Sequence, residues 1–234
     1  MAKRKIKVSE VLPALSFMLD LMSDEEREVL VKHIAVQTYR KNELLYEEGD
    51  LPTFMHCLIS GKVKVAKEGI GGRTQIIRMV RPVEFFGYRA GFANQLYVNS
   101  ATAFEPSVVV KIPLNVVIRI LKENAHLGWF FIERLVRNLG YADERMVSLT
   151  QKHIRGRLAE SLLFLKENYG LEEDGATLSI YLSREDLASH SNMTTSNAIR
   201  TLSNFASERI IAIDGRKIKI MDEAKLKEIS KGGK

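Results

Sequence analysis

Hydrophobic periodicity changes character at Pro113, and that change fixes what this 234-residue chain can fold into. From about Val36 to Pro113 the apolar residues come in short runs closed by turns. Leu44-Leu45-Tyr46 leads into Glu48-Gly49-Asp50, and Met55 to Ser60 runs into Gly61. Lys62-Val63-Lys64-Val65-Ala66 alternates charged and apolar side chains, the period of a strand with one buried face. Gly69, Gly71 and Gly72 supply a hairpin turn, Thr74 to Val80 reads as the returning strand, and Val108 to Ile112 closes the series. Short strands at such close intervals specify an antiparallel sandwich or barrel.

Helical signals flank this region. Ser23-Asp24-Glu25-Glu26 is a capping box, in which the Ser23 hydroxyl accepts from the Glu26 amide while Glu26 reaches back. On the other side, Pro113 suits the first turn of a short helix reaching about Glu123. The longest helical pattern follows. Ile132, Leu135, Leu139, Ala142, Met146 and Leu149 are spaced 3, 4, 3, 4 and 3, and Arg134, Arg137, Asp143, Glu144 and Arg145 lie off that seam. Apolar residues at a strict 3.5-residue repeat favour a partner helix, and two-fold pairing is the simplest closure, so a homodimer is expected.

The remainder reads as a small helix-rich domain. A helix through Leu158, Leu162, Leu163 and Leu165 stops at Tyr169-Gly170, and a polar loop leads to a short strand at Thr177 to Tyr181. Two short helices come next, then a hairpin of Ile210 to Ile213 and Lys217 to Met221 turned at Asp214-Gly215. The two helices are the informative part. Ser183 with Asp186 starts the first, and it ends near His190-Ser191-Asn192, where asparagine tolerates a left-handed turn. Thr194 caps the second, with Ala198, Ile199 and Leu202 as inward positions. Thr195, Ser196, Asn197 and Arg200 then project outward, with no carboxylate between 194 and 204. Such an arrangement is a helix-turn-helix, whose second helix presents its N-terminal residues to base edges.

Composition narrows the alternatives. Net charge is +6, but it is spread thinly: 21 Lys/Arg stand against 17 Asp/Glu up to residue 150, and 14 against 12 beyond it. DNA contact must therefore come from local placement rather than from an overall field. Apolar residues are 45% and charged residues 27%, a globular balance. No stretch approaches the roughly 18–20 apolar residues of a membrane span. The basic start Met1 to Lys5 is followed by Lys7, Glu10 and Pro13, which interrupt any signal-peptide core, so a cytoplasmic protein without a membrane partner is expected. The sole cysteine, Cys57, excludes a disulfide framework and a cysteine-held iron–sulfur cluster within one chain. No nucleophile elbow, His-Glu-x-x-His helix or phosphate loop is present, so no catalytic or metal site is expected and the chain is not read as an enzyme.

The element order and the residues at the joints resemble the Crp–Fnr family of bacterial transcription regulators. The resemblance lies in Glu48-Gly49-Asp50, Ser60-Gly61-Lys62-Val63-Lys64-Val65, Phe86-Gly87, Gly156-Arg157-Leu158-Ala159 and Leu182-Ser183-Arg184-Glu185-Asp186-Leu187-Ala188, and it covers nearly the whole chain. It implies an α+β protein: a jelly-roll-like antiparallel β-roll with an N-terminal helix over 1–123, a dimerisation helix over 124–152, and a winged helix-turn-helix over 153–234. It further implies an inverted-repeat operator in double-stranded DNA, with RNA polymerase as a protein partner. Ser183, Arg184, Thr194, Thr195, Ser196, Asn197 and Arg200 become the candidate DNA-binding residues, with Arg184 placed for a phosphate contact. The alternative function is a ligand-binding β-roll fused to a protein-interaction domain without DNA binding.

Departures from the family pattern bear on the effector. Members responsive to cyclic AMP follow the Phe-Gly with a glutamate for the ribose and later present an Arg-Ser pair for the phosphate. Here those places hold Gly87-Tyr88 and Asn99-Ser100, and the adenine-facing pair of the dimer helix falls at Ala142-Asp143. A buried phosphate without its cation is costly, so cyclic AMP is not the expected effector; Arg89 is the nearest substitute cation. Haem is not expected either, because adjacent strand residues His56 and Cys57 face opposite sides. The recognition helix of the family carries an arginine, a glutamate and a second arginine four residues on. Those positions are Thr195, Ser196 and Arg200 here, so only the last arginine remains.

Overall fold

The computed structural model describes residues 6–232, so the basic start Met1 to Lys5 lies outside the described residues. The chain forms two compact units. One comprises the residues up to Glu68 with Ile77–Asn138, the other Gly69–Ile76 with the residues from Leu139 onward.

The first unit begins with short helices α1 (Val8–Val11) and α2 (Ser16–Leu19), then α3 (Asp24–His33). The Ser23 capping box is present in full: the Glu26 amide donates to Ser23 Oγ at 3.2 Å, and the Ser23 amide donates to the Glu26 carboxylate at 2.9 Å. The strands follow: β1 (Ala35–Tyr39), β2 (Leu44–Tyr46), β3 (Phe54–Ser60), β4 (Val63–Glu68), β5 (Thr74–Val80, of which the first three residues belong to the second unit), β6 (Phe85–Phe86), β7 (Ser100–Ala103) and β8 (Ser107–Pro113), with α4 (Tyr88–Phe92) between β6 and β7. They make two four-stranded sheets, ordered β1-β8-β3-β6 and β2-β7-β4-β5. Period 2 sorts the side chains of β3 between two cores. Leu58 joins Tyr46, Val63, Val65, Phe86, Ala101 and Val109 between the sheets, while Met55 and Cys57 join the helices. The expectation that His56 and Cys57 face opposite sides holds. His56 lies against Tyr46 and Phe86, and the buried Cys57 thiol, pushed up to about 12 by desolvation, lies in the helix-covered core.

Pro113 ends β8 and is the N-cap of α5 (Leu114–Glu123) rather than a residue of its first turn; its ψ of 128° is still extended. Helix α6 (Ala125–Gln151) follows and contributes residues to both units. Its exposed apolar stripe is Trp129, Ile132, Val136, Leu139 and Met146. The expected seam thus changes at two places, since the same spacing passes through Asp143 rather than Ala142. Leu135 packs against the helix-covered core, and Val136 takes the exposed position.

In the second unit, α7 (Ile154–Tyr169) is followed by α8 (Arg184–His190), α9 (Thr195–Ser207), the hairpin β9 (Ile211–Asp214) and β10 (Lys217–Ile220), and α10 (Glu223–Gly232). Leu158, Leu162, Leu187, Leu202, Phe205 and Leu226 are buried in this unit. The strand expected over Thr177 to Tyr181 is not formed. Only single bridges, Leu171 to Leu178 and Thr177 to Lys219, mark it. The segment makes two bonds to β10, from the Leu178 amide to the Ile218 carbonyl and from the Ile220 amide to the Ala176 carbonyl, while the Asp174 carboxylate accepts from the amides of Ala176 and Thr177 at its start. Among the described residues, no helix is long and apolar enough to cross a membrane.

Candidate nucleic-acid interface

Two capped helices and a three-residue turn build the face. Ser183 stands at the N-cap of α8, its Oγ accepting from the Asp186 amide at 3.0 Å and donating to the Asp186 carboxylate at 2.7 Å. Leu187 and Ala188 bury the inner side of α8. Asn192 takes φ +51°, the left-handed conformation expected there, and buried Met193 anchors the turn. Thr194 then caps α9 through the Asn197 amide at 3.2 Å. Ala198, Thr201, Leu202 and Phe205 are the inward positions of α9. Ile199 is not among them. It is 48% exposed, because α9 turns its 198–202–205 stripe to the core and position 199 falls a further 100° round.

What remains outward is Thr194, Thr195, Ser196, Ile199 and Arg200, with Asn197 half-buried beside them. Arg200 is not loose: its Nη2 donates to Asn197 Oδ1 at 2.8 Å. The first turn of α9 has no carboxylate, so the positive helix end and the uncapped amides face outward unopposed. Short hydroxyl, amide and guanidinium groups of this kind suit phosphate oxygens and base edges, and Ile199 leaves one apolar side chain exposed beside them.

Arg184 occupies a different position from that expected of a free phosphate ligand. Its Nη2 donates to the Gly215 carbonyl at 2.7 Å, at the turn between β9 and β10, and its Nη1 is buried without a hydrogen-bond partner among the described residues. It therefore fastens the wing turn to the start of α8. Arg216 and Lys217 are the exposed cations at that turn, with Lys217 5.7 Å from the Tyr181 ring centroid. The sequence signal for them is the basic pair directly after Asp214-Gly215.

A buried network holds the turn from within the same unit. His190 pairs with the Ser161 hydroxyl at 3.0 Å, and Ser191 Oγ donates to that hydroxyl at 2.8 Å. Burial, then the Arg145 charge, lowers the His190 pKa to about 3 and keeps the ring neutral. Arg145 Nη2 donates to the carbonyls of His190 at 2.7 Å and Ile76 at 3.2 Å. Ser189 Oγ accepts from the Ile76 amide at 2.9 Å and donates to the Thr74 carbonyl at 2.7 Å, and Arg73 Nη2 donates to Asn192 Oδ1 at 2.9 Å.

The expected effector residues lie in the first unit and do not converge on one pocket. Gly87 has φ +75°, and a Cβ there would meet His56 Nδ1 at 2.7 Å and Tyr46 at 3.2 Å. Asn99 Oδ1 accepts from the Tyr46 hydroxyl at 3.4 Å, so the Tyr46 ring occupies the space between Gly87 and Asn99. Tyr97 stacks on that ring, 3.8 Å between centroids. Ser100 Oγ accepts from the Glu48 amide at 2.9 Å, and Arg89 is exposed. Tyr88 turns the other way, into the helix-covered core beside Phe92 and Phe131.

Comparison with known proteins matches both parts. The cyclic nucleotide-binding domain matches residues 36–124 and the Crp-like helix-turn-helix domain matches residues 156–229. The CRP-like cAMP-activated global transcriptional regulator of Mycobacterium tuberculosis is 23% identical over 198 residues, covering 84% of this chain and 88% of that protein. The global nitrogen regulator of Nostoc sp. is 24% identical over 189 residues, covering 79% and 84% respectively. The solved structure of FixK2 from Bradyrhizobium japonicum superimposes with a TM-score of 0.76 at 21% identity, over 86% of this chain and 99% of that one.

Proposed function

We propose, from the premise that this chain belongs to the Crp–Fnr family of DNA-binding transcription regulators, that it works as a homodimer reading an inverted repeat in double-stranded DNA. The observation that carries this reading is the outward face of α9: short polar side chains, Ile199 and one pre-positioned arginine, at a capped helix start without a carboxylate. Arg200 reads a guanine through O6 and N7, and Asn197, which holds it, is a second reader for adenine. Thr194, Thr195 and Ser196 contact base edges or phosphates at the helix start, Ser183 and Arg184 set the register of α8 and the wing, and Arg216 and Lys217 meet the backbone.

Pairing runs through α6. The exposed stripe from Trp129 to Met146 has coiled-coil spacing and is apolar except at Asp143, and two-fold pairing covers it. In functional terms the chain divides into a β-roll over 1–123, a dimerisation helix over 124–152 and a DNA-reading domain over 153–234. Cyclic AMP is not the effector, since Tyr46 fills the cassette and neither Tyr88 nor Asn99 supplies the charge of its family counterpart. The protein acts by binding rather than catalysis, in the cytoplasm, with RNA polymerase as its further partner.

Selection of wild-type protein on a random duplex pool tests this reading. The expected product is an inverted repeat with half-site centres one helical turn apart, roughly 34 Å. Recovery of no enriched motif, or of an asymmetric single site, overturns it.

A further inference from the structure

The first unit holds a second concavity, apart from the filled cassette. It has a volume of about 330 Å³ and is lined by Arg78, Glu84, Phe85 and Tyr88 from the β-roll and by Phe130, Glu133, Arg134, Arg137 and Asn138 from α6. Only Tyr88 is shared with the residues expected to hold a cyclic nucleotide. The size lies at the lower end of small-molecule sites, about 300–1,000 Å³.

The charges in this cavity do not balance. Glu84 is engaged by two arginines: Arg78 Nη2 lies 2.9 Å from its Oε2, and Arg81 donates through Nε at 3.1 Å and Nη2 at 2.8 Å to its Oε1. Glu133, which stands one turn before Arg137, accepts instead from the Trp129 indole at 3.0 Å. Among the described residues no carboxylate lies within ion-pair distance of Arg134 or Arg137. The Arg134 guanidinium is packed on aromatic rings, 4.4 Å from the Phe130 centroid and 5.2 Å from that of Phe17, and its Nε is buried without a hydrogen-bond partner. A guanidinium that is partly desolvated and has an orphan donor is unfavourable unless an anion completes it.

We propose that this cavity binds a small organic oxyanion with a flat ring, a carboxylate or phosphate monoester carried on an aromatic body. Arg134 and Arg137 are three residues apart on α6, so their forks lie on adjoining turns and can grip one oxyanion together. Arg78 is the third cation, but it is already compensated by Glu84 and marks the floor of the site rather than its grip. Phe85, Phe130 and Tyr88 supply the walls against which the ring lies. A mainly polar lining of arginines with aromatic side chains among them favours an occupant that carries both an oxyanion and a ring. The assignment stands independently of how α9 meets DNA.

Trp129 is the only tryptophan in the chain, and its indole donates to a residue of the cavity lining, so it reports occupancy directly. Full-length protein is titrated with phthalate, phenyl phosphate, inorganic phosphate and benzamide, following Trp129 fluorescence and calorimetric heat. Phthalate or phenyl phosphate is expected to bind with a Kd below about 1 mM, while neutral benzamide does not. Arg137→Gln, at an exposed position, is expected to keep the fold and weaken binding about tenfold; Arg134→Lys keeps the charge but loses the fork and weakens it as well. Three results overturn the proposal: no binding of any anion, equal binding of benzamide, or unchanged affinity in Arg137→Gln. Inorganic phosphate binding as tightly as phenyl phosphate overturns the aromatic half of the assignment.

Discussion

Replacing Arg200 by alanine removes the only arginine on the reading face of α9, and the geometry sets the size of the effect. In the free protein the guanidinium is already held by Asn197 Oδ1 at 2.8 Å, so little ordering remains to be done when a guanine is met. Loss of one bidentate arginine–guanine pair costs about 1–3 kcal/mol, or roughly 5- to 150-fold in affinity per half-site. Because Arg200 is exposed and contacts only Asn197 among the side chains that bond it, folding stability should move by less than about 0.5 kcal/mol, so the loss is one of recognition. Asn197→Ala should reproduce part of the effect by releasing the guanidinium. The double variant should cost less than the two singles added, since the pair acts as one unit. Selection on random duplexes, followed by competition binding at a fixed salt concentration, measures both affinity and base preference. If Arg200→Ala enriches the same motif as wild type with undiminished guanine preference, α9 is not the reading helix.

Four further outcomes are expected. Leu139→Glu, at a position 62% exposed in the single chain, should leave the fold intact while sedimentation shows a monomer, because two carboxylates would meet at the α6 seam; an unchanged dimer mass refutes the seam. Calorimetric titration should give no binding of cyclic AMP at micromolar concentrations, and a micromolar Kd would mean that Tyr46 moves out of the cassette. For His190 the folded pKa is lowered to about 3 from an ordinary 6.5, so the unfolded chain takes up a proton that the folded one refuses. Stability contributed by the neutral ring is complete above pH 6.5 and declines as pH falls toward 3, by about 1.4 kcal/mol per unit, and denaturant unfolding at pH 6.5 and 4.5 should show His190→Gln losing less than wild type. Arg184→Ala should weaken binding to all sequences without changing the log–log salt slope, since its Nη2 holds Gly215, whereas Arg216→Ala or Lys217→Ala should lower that slope by about 0.9 for each phosphate no longer neutralised; the reverse pattern would make Arg184 the phosphate ligand.

Periodicity and capping were enough to locate most elements, because both are local. Ser23 and Ser183 cap the helices expected of them, Asn192 takes the left-handed turn, and the glycines at 69, 71 and 72 sit in the tip between β4 and β5. The errors arise where a choice depends on what lies opposite. Leu135 and Val136 are both apolar, and only the position of the helix-covered core decides which of them faces out. Ile199 looks like a core residue by type, yet the α9 stripe is completed by Thr201, whose hydroxyl is satisfied by the Asn197 carbonyl at 2.8 Å. Thr177 to Tyr181 has strand composition, but it forms only single bridges, and the amide of Thr177 is taken by Asp174. In the site itself the outward residues of α9 were legible from helical spacing. The attachment of Arg184 to Gly215 was not, because it joins positions 31 residues apart.

The residues of the filled cassette form a self-consistent set rather than a series of independent losses. Tyr88 packs beside Phe92 and Phe131 and faces the cavity lined by Arg78 and Arg134, away from Tyr46, so a glutamate at this position would not be directed between the sheets. An arginine at position 99 would meet the Tyr46 ring and hydroxyl where a phosphate would otherwise sit. Each charged residue of a cyclic-nucleotide site is tolerable only with the other and with the ligand, since an unpaired buried charge costs several kcal/mol. Neutral replacements at both places, with Tyr46 and Tyr97 stacked between the sheets, keep that interior free of uncompensated charge. On the other side of Tyr88 the situation is reversed: among the described residues neither Arg134 nor Arg137 has a carboxylate within ion-pair distance, although Glu84 and Glu133 line the same cavity. Between the sheets Tyr46 lies between Gly87 and Asn99, and an electropositive cavity lies against α6, the helix through which the two copies are proposed to pair. Because Arg134 and Arg137 belong to α6, the proposed occupant would touch that helix directly.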